Sequence, residues 1–197
     1  MSNESIKNTI SLTIITLIAG LLLGIVYEIT KEPIAAEQQR AKEEAYKAVF
    51  AEADSFELVN LDIAKVEANL ADNGYDVTVN EAMKVFDKAG NAAGYVLTVT
   101  DHEGYGGDIQ FAMGVRSDGT VNGISFLSIS ETAGLGMKAA EEGFMKQFEN
   151  KNVEKFQYTK NGASVEGDVD AISGATITTN AVVNGVNAGL YYISTLE

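Results

Sequence analysis

The sequence of 197 residues contains no cysteine, a single histidine and a single proline. Without cysteine, the chain has no disulfide bonds, no thiolate nucleophile, no iron–sulfur ligands and no cysteine-built zinc site. Because His102 is the only histidine, a His-rich metal site is excluded, and a Ser-His-Asp triad would have one possible base. We therefore expect no metal centre in this protein.

Basic residues are also scarce, with 14 Lys and Arg against 28 Asp and Glu, which gives a formal net charge of −14 at pH 7. A chain this acidic is a poor match for a phosphate backbone, so we expect no nucleic-acid partner. The hydrophobic content of 46% and the low proline content are typical of a folded chain. The length fits one sizeable domain plus one appendage.

The longest uncharged run extends from Asn8 to Tyr27, between Lys7 and Glu28. As a helix rising about 1.5 Å per residue it would be roughly 30 Å long, which matches the hydrocarbon core of a bilayer. A buried core helix and a cleaved signal peptide are the alternatives, but no convincing small-x-small cleavage site follows the run. We expect residues 1–29 to form a retained single-pass transmembrane anchor.

One face of this anchor consists of small and hydroxyl-bearing residues. They follow one another at spacings of three or four: Thr9, Thr13, Thr16, Gly20 and Gly24. The glycines form a GxxxG pair that lets another helix approach closely, and the hydroxyls offer hydrogen bonds across such a contact. This face favours packing against membrane partners, although small residues are frequent in membrane helices in general.

The rest of the chain has helical patterns at both ends and strand patterns between them. We expect a helical stalk or linker over residues 30–60, a short helix over 62–70 and a terminal helix over about 175–193. Alternating apolar residues and tight-turn sequences between 77 and 130 predict an antiparallel sheet. The expected fold class is α+β: a single N-terminal transmembrane helix plus a globular domain, residues 61–197, in which helices flank an antiparallel sheet.

Two smaller elements are expected after the sheet. The spacing of Met137, Ala140, Phe144 and Phe148 predicts one helix with these side chains on a single face. The dipeptide Asn161-Gly162 predicts a hairpin turn.

The most informative motif runs from Asp170 to Thr179 and leads into the terminal helix. Ser173 is a candidate N-cap, and Gly174 allows a turn without an obstructing side chain. The first N–H groups of a helix have no internal partners, its positive dipole end favours an anion, and all three threonines of the motif supply hydroxyls around the same opening. These features predict a phosphate site, although an ordinary capped helix start has the same features.

The run Asp170-x-x-Ser173-Gly174-Ala175-Thr176 resembles the flavinylation motif of the FMN-binding domain family. That family includes the G subunit of the Rnf electron-transport complex, RnfG, and the C subunit of the sodium-translocating NADH:quinone reductase. In the family, the threonine that closes the Ser-Gly-Ala-Thr run carries FMN through a phosphoester bond made by a dedicated flavin transferase. The resemblance implies that Thr176 is the attachment residue, with Asp170, Ser173, Gly174 and Ala175 as its recognition context.

Two further segments are similar to this family. The segment 131–136, Glu-Thr-Ala-Gly-Leu-Gly, resembles a family loop that lies against the flavin, with Ala133 in place of the usual proline. The segment 104–107, Gly-Tyr-Gly-Gly, resembles a family segment that precedes a strand. The resemblance implies further flavin contacts from Thr132, Gly134, Leu135 and Tyr105. The order and length of the segments are most similar to RnfG.

The resemblance implies a membrane-anchored, covalently flavinylated electron-transfer component of an Rnf-type ferredoxin:NAD oxidoreductase complex that moves Na⁺ or H⁺. Its partners would be the other membrane and peripheral subunits, and the flavin transferase during maturation. The flavin supplies the redox chemistry, so no catalytic acid or base is expected. The domain would lie on the extracytoplasmic side of the cell membrane. Two alternatives stay open: a component similar to the C subunit of the quinone reductase, and a tethered non-redox module that binds a ligand or a partner.

Overall fold

The computed structural model describes residues 3–196 and contains two compact units, Met1–Ala41 and Lys42–Glu197. The first helix, α1, runs from Asn3 to Val49 and passes through Pro33. Because proline has no amide hydrogen, the helix lacks one internal hydrogen bond there. Good helix formers flank the proline on both sides, and the helix continues across it.

The first unit contains an 18-residue window that is long and apolar enough to cross a membrane, and none of that window is buried. The hydroxyls of Thr9, Thr13 and Thr16 each donate a hydrogen bond of 2.9 Å to a carbonyl of their own helix. These donors are therefore satisfied without a partner helix. Nothing lies within 4 Å of the Cβ positions of Gly20 and Gly24, so a neighbouring helix has room to approach there.

The second unit is built on a five-stranded antiparallel sheet whose strands follow chain order from edge to edge. The strands are β1 (Ser55–Leu58), β2 (Val77–Phe86), β3 (Ala92–Asp101), β4 (Ile109–Arg116) and β5 (Val121–Ser128). Each strand pairs antiparallel with the next; short connections join the successive strands β2 to β5 as hairpins, whereas residues 59–76, which include a helix, separate β1 from β2. The predicted antiparallel sheet is confirmed, and β1 lies inside the range expected to be stalk.

Helix α4 (Thr176–Ser194) packs directly on one face of this sheet. Two glycines allow the close approach: a Cβ at Gly189 would overlap the sulfur of Met113, and one at Gly185 would lie 2.9 Å from the Phe111 ring. The predicted terminal helix is thus confirmed with its bounds shifted by one residue. Its position places its first turn at one end of the sheet.

The opposite face of the sheet is covered by the last turns of α1, which belong to the second unit. Tyr46 is buried there, and its hydroxyl contacts Glu81 at 2.9 Å and Thr98 at 2.7 Å. Burial raises the pKa of Tyr46 above its ordinary value. The central strands are therefore buried on both faces, which gives the candidate site a rigid support.

Helix α2 (Ile63–Asp72) also agrees with the prediction. The Asp62 side chain caps it by accepting the N–H of Lys65 at 3.2 Å, and Gly74 ends the following turn with a φ of 84°.

The helix predicted over residues 137–148 is wrong, because three short pieces occupy this region. They are a 3₁₀ turn (Gly136–Ala140), helix α3 (Glu142–Met145) and a second 3₁₀ turn (Lys146–Phe148). Glu141 has extended backbone angles of −77° and 144°, and it interrupts the helix. The helical spacing of Phe144 and Phe148 still brings both rings into the core.

The hairpin predicted at Asn161-Gly162 is also wrong. Strands β6 (Gln157–Thr159) and β7 (Asp168–Asp170) pair in parallel, so the chain must return before it enters β7. Gly162 does turn the chain, with a φ of 90°. The eight residues between the strands form a return loop held by the Asp168 carboxylate, which accepts the N–H groups of Ser164 and Val165.

Candidate functional site

The entry into α4 is a tight turn. The N–H of Ala175 donates to the carbonyl of Ile172 at 2.9 Å, and Gly174 has a φ of 78°, which suits glycine at the third position of such a turn. Ser173 lies in the turn, and the residue in the N-cap position is Ala175. The prediction that Ser173 is the N-cap is therefore wrong, because the helix starts two residues later than such a cap requires.

Among the described residues 3–196, no side chain caps the start of α4. The first N–H groups of a helix have no partners within it, and its dipole gives this end partial positive charge. Thr176 is the first helical residue and is half-buried at this opening. An anion placed against it would receive hydrogen bonds that no side chain supplies.

The two other threonines of the motif differ from Thr176. Thr179 is fully buried, and its hydroxyl accepts the N–H of Ile172 and donates to the carbonyl of Ala175, both at 3.0 Å. Thr178 is 1% exposed. The Thr179 hydroxyl is therefore occupied by the turn and does not serve the opening, contrary to the expectation for this residue.

A cleft of about 500 Å³ lies beside the helix start. Three segments form its walls: the connection between β3 and β4, the segment after β5, and the entry into α4. Its lining residues are Tyr105, Glu131, Thr132, Leu135, Gly136, Gly174, Ala175, Thr176, Ile177 and Thr178. The structure thus brings together three segments that are up to 73 positions apart in sequence.

Six of the nine predicted site residues line this cleft: Tyr105, Thr132, Leu135, Gly174, Ala175 and Thr176. The other three, Asp170, Ser173 and Gly134, are not among its lining residues. Asp170 lies at the end of β7, where its carboxylate accepts the N–H of Ala163 at 2.5 Å. Its own N–H donates to the Gln147 side chain at 2.6 Å. In this structure Asp170 holds the neighbouring loop in place and does not line the cleft.

The segment after β5 bends sharply at its glycines. Gly134 has a φ of 75°, and the N–H groups of Leu135 and Met137 both donate to the carbonyl of Thr132, at 3.1 and 3.2 Å. Gly136 has no space for a side chain, since a Cβ there would lie 2.6 Å from the Glu131 carboxylate. The bend exposes Leu135 on the cleft wall.

Four cleft residues are not among the nine predicted site residues: Glu131, Gly136, Ile177 and Thr178. Glu131 is 8% exposed, and its carboxylate accepts the N–H of Gly106 at 3.2 Å. Ile177 is 54% exposed although it is a large apolar residue. In the sequence, an isoleucine between two threonines at a helix start gives no indication of function. Glu131 is identifiable there only as the first residue of the segment 131–136.

The cleft suits a flat, partly apolar anion. Its most exposed apolar side chains are Tyr105, Leu135 and Ile177, which offer surfaces for a ring. No Lys or Arg is among its lining residues, so a phosphate would rely on the uncapped helix start. An FMN group fits this arrangement: the first residues of α4, Thr176 and Ile177, would hold its phosphate, and Tyr105 and Leu135 its ring system.

His102 lies outside this cleft. Its Nδ1 is 3.0 Å from the Asp108 carboxylate and its Nε2 is 2.9 Å from the Thr78 hydroxyl. The hydrogen bond that its Nδ1–H donates to the Asp108 carboxylate raises the pKa of His102. Both ring nitrogens are thus engaged away from the candidate site.

Comparison with known proteins connects both ends of the chain to described families. The FMN-binding domain matches residues 104–191, and the RnfG N-terminal region matches residues 1–49. The C subunit of the Na⁺-translocating NADH-quinone reductase from Parabacteroides distasonis has a similar solved structure, with a TM-score of 0.50 and 23% identity. The similarity covers 72% of this chain and 78% of that one, and it concerns the fold alone.

Relatives of the same length are also known. The G subunit of the ion-translocating oxidoreductase complex of Methanosarcina acetivorans is 34% identical over all of this chain and 98% of its own. The G subunit of the proton-translocating ferredoxin:NAD⁺ oxidoreductase complex of Clostridium ljungdahlii is 30% identical, over 98% of this chain and 94% of its own. The chain therefore belongs to the RnfG family, the G subunits of ion-translocating oxidoreductase complexes, and it contains an FMN-binding domain.

Proposed function

We propose that this protein is the electron-carrying, membrane-anchored flavoprotein component of an Rnf-type ferredoxin:NAD oxidoreductase complex that moves Na⁺ or H⁺. Similarity to the G subunits of such complexes over the full chain supports this assignment. The apolar N-terminal helix supplies an anchor, and the FMN-binding domain supplies the redox group. The other membrane and peripheral subunits of such a complex would be its partners.

FMN is attached to the hydroxyl of Thr176 in this proposal. The observation that carries it is the position of Thr176. Its side chain bears a hydroxyl, it lines the cleft, and it is the first residue of a helix whose start has no side-chain cap. Thr179 is excluded by its two hydrogen bonds within the turn. Asp170 and Ser173 would act in recognition by the flavin transferase, since both are exposed outside the cleft.

In the proposed attachment reaction, the transferase uses a flavin dinucleotide as the donor of the flavin and its phosphate. The Thr176 oxygen forms a new bond to the flavin-side phosphorus, the bond between the two phosphates breaks, and a nucleoside monophosphate leaves. The hydroxyl proton passes to solvent. The resulting phosphodiester keeps one negative charge, which the dipole of α4 stabilises.

The flavin, once attached, supplies electron transfer. This chain's own residues bind and orient it: the helix start holds the phosphate, and Tyr105 and Leu135 cover the ring from two segments. We place the domain on the extracytoplasmic side of the cell membrane, where a covalent bond retains a cofactor that no cytoplasmic pool replaces.

Intact-mass measurement tests the attachment. The full chain is co-expressed with a flavin transferase, and the wild type should gain the mass of FMN less one water. Thr176→Ala should lose this added mass, whereas the control Thr178→Val should keep it. Flavin retained by Thr176→Ala at another residue, or a wild type without added mass, would contradict the site.

Co-purification tests the assignment to an Rnf-type complex, and surface labelling tests the side of the membrane on which the domain lies. A tagged full-length chain should bring down iron–sulfur subunits of the ferredoxin type, and a quinone-reductase assembly without them would contradict the Rnf assignment. Because the chain has no cysteine, Lys160→Cys provides a unique label in the domain. An impermeant maleimide should label it in intact cells and should not label Glu4→Cys; the reverse pattern would contradict the proposed side.

A further inference from the structure

Glu131 is a buried carboxylate in the wall of the flavin cleft. It is 8% exposed, and it is the third residue after the end of β5, in a segment that also lines the cleft beside α4. One carboxylate oxygen accepts the N–H of Gly106 at 3.2 Å, in the same loop that carries Tyr105. Glu131 therefore joins two of the three segments that form the cleft.

The other carboxylate oxygen faces the third segment. A Cβ built on Gly136 would lie 2.6 Å from this oxygen and 2.7 Å from the Thr178 hydroxyl, so all three groups are packed around the same point. Thr178 belongs to the first turn of α4, two residues after Thr176. The carboxylate of Glu131 is thus located where the three walls meet.

In the described residues 3–196, this carboxylate has no compensating cation. None of the ion pairs there involves Glu131, and the cleft lining contains no Lys or Arg. A buried charge is screened less by solvent and salt than an exposed one. Its field therefore acts on any group that occupies the cleft.

We propose that Glu131 is a positioning residue that keeps the reduction potential of the cleft flavin low and holds the Tyr105 loop in place. This inference rests on the proposed function. When the ring takes up two electrons from a reductant and one proton from solvent, it gains one negative charge. The negative charge of Glu131, which has no ion-pair partner in the described part of the chain, repels the added charge on the ring, so reduction requires a stronger electron donor.

Two neutral variants of similar length test the electrostatic part. Glu131→Gln keeps an oxygen that accepts the Gly106 N–H, and Glu131→Met removes that acceptor as well. The control Glu141→Gln makes the same charge change at an exposed residue outside the cleft. Each full-length, flavinylated protein is titrated with dithionite against a reference dye. Both Glu131 variants should shift the potential to more positive values than the control does.

Amide hydrogen exchange at Gly106 tests the positioning part on protein made without the transferase. Exchange should stay slow in Glu131→Gln and become faster in Glu131→Met, because only the latter loses the acceptor. A Glu131→Gln potential no higher than that of Glu141→Gln, or unchanged exchange in Glu131→Met, would overturn the inference. The mass measurement on Thr176→Ala decides the proposed function separately, since it depends on neither readout.

Discussion

The hydroxyl of Thr179 accepts the backbone N–H of Ile172 across the turn that precedes α4, at 3.0 Å. The same hydroxyl donates to the carbonyl of Ala175 at 3.0 Å. One buried side chain therefore fixes both ends of the Ser173–Gly174 turn relative to the helix. The position of Thr176 at the cleft depends on this turn, so a structural residue three positions further along the helix controls the presentation of the proposed attachment residue.

We expect Thr179→Val to destabilise the protein by about 1–3 kcal/mol, because the buried N–H of Ile172 loses its acceptor. Flavin attachment should also fall, since the turn no longer presents Thr176 in a single orientation. Urea denaturation and intact mass measure the two effects. Thr179→Ser keeps the hydroxyl and should stay close to wild type in attachment; equal losses in Ser and Val variants would contradict the role of this hydrogen bond.

Gly174→Ala should damage the cleft as well as the backbone. A φ of 78° costs a non-glycine residue about 1–2 kcal/mol, and the new Cβ would lie 3.2 Å from Leu135 Cδ2. Gly119→Ala is the matched control, with a φ of 84° and no atom within 4 Å of its Cβ position. Both variants should lose similar stability by urea denaturation. Only Gly174→Ala should lower flavin attachment, and equal attachment would argue against the Leu135 contact.

The parts of the fold that sequence predicts best are those determined by local patterns. Alternation of apolar residues along β2 to β5 and turn residues such as Gly119 identify the sheet without any knowledge of its partners. The helix predicted at 137–148 is wrong because three separate turns occupy this region: the first buries Ala139, and the other two bury Phe144 and Phe148. Burial requires that these side chains point into the core, and three separate turns meet that requirement without a continuous helix.

The residues of the candidate site are predicted less completely by local sequence patterns than the sheet is. The family motif identifies the segment around Thr176, and the structure shows that Asp170, in the same motif, faces a neighbouring loop. Glu131 and Ile177 both line the cleft only because the segment after β5 and the start of α4 meet there in three dimensions. Contacts of this kind depend on tertiary packing, and no local pattern contains them.

Asn187 ties α4 to the chain just before β6. It is 3% exposed; its side-chain oxygen accepts the N–H of Phe156 at 2.8 Å, and its amide donates to the Phe156 carbonyl at 2.9 Å. Asn187→Ala should cost about 2–4 kcal/mol in urea denaturation, because it leaves two buried backbone groups unpaired. Asn184→Ala, one turn earlier, breaks only a 3.2 Å contact with Glu103 near the surface. A loss as large in this control would contradict the assignment.

Asp101 makes stability depend on pH. Its side chain is fully buried; one oxygen accepts the N–H of Glu103 at 2.8 Å, and the other has no hydrogen-bond partner in the described part of the chain. Desolvation raises the pKa of Asp101 from 3.8 to about 7. The folded state then binds more protons than the unfolded state between these values. The stabilising contribution is therefore complete below about pH 4 and is lost as the pH rises through 7.

Asp101→Asn should consequently raise the free energy of unfolding at pH 8 by a few kcal/mol, on the order of the cost of ionising this buried carboxyl. The variant keeps an oxygen for the Glu103 N–H, so the difference from wild type reports the charge. The pKa of His102 is raised mainly by Asp108 and also by Asp101, so the Asp108 part of its titration is common to both proteins and the Asp101 part is lost in the variant. Urea denaturation from pH 5 to pH 8 should give a flatter profile for Asp101→Asn. Asp72→Asn, which changes an exposed carboxylate, should follow wild type, and a wild-type profile for Asp101→Asn would contradict the assignment.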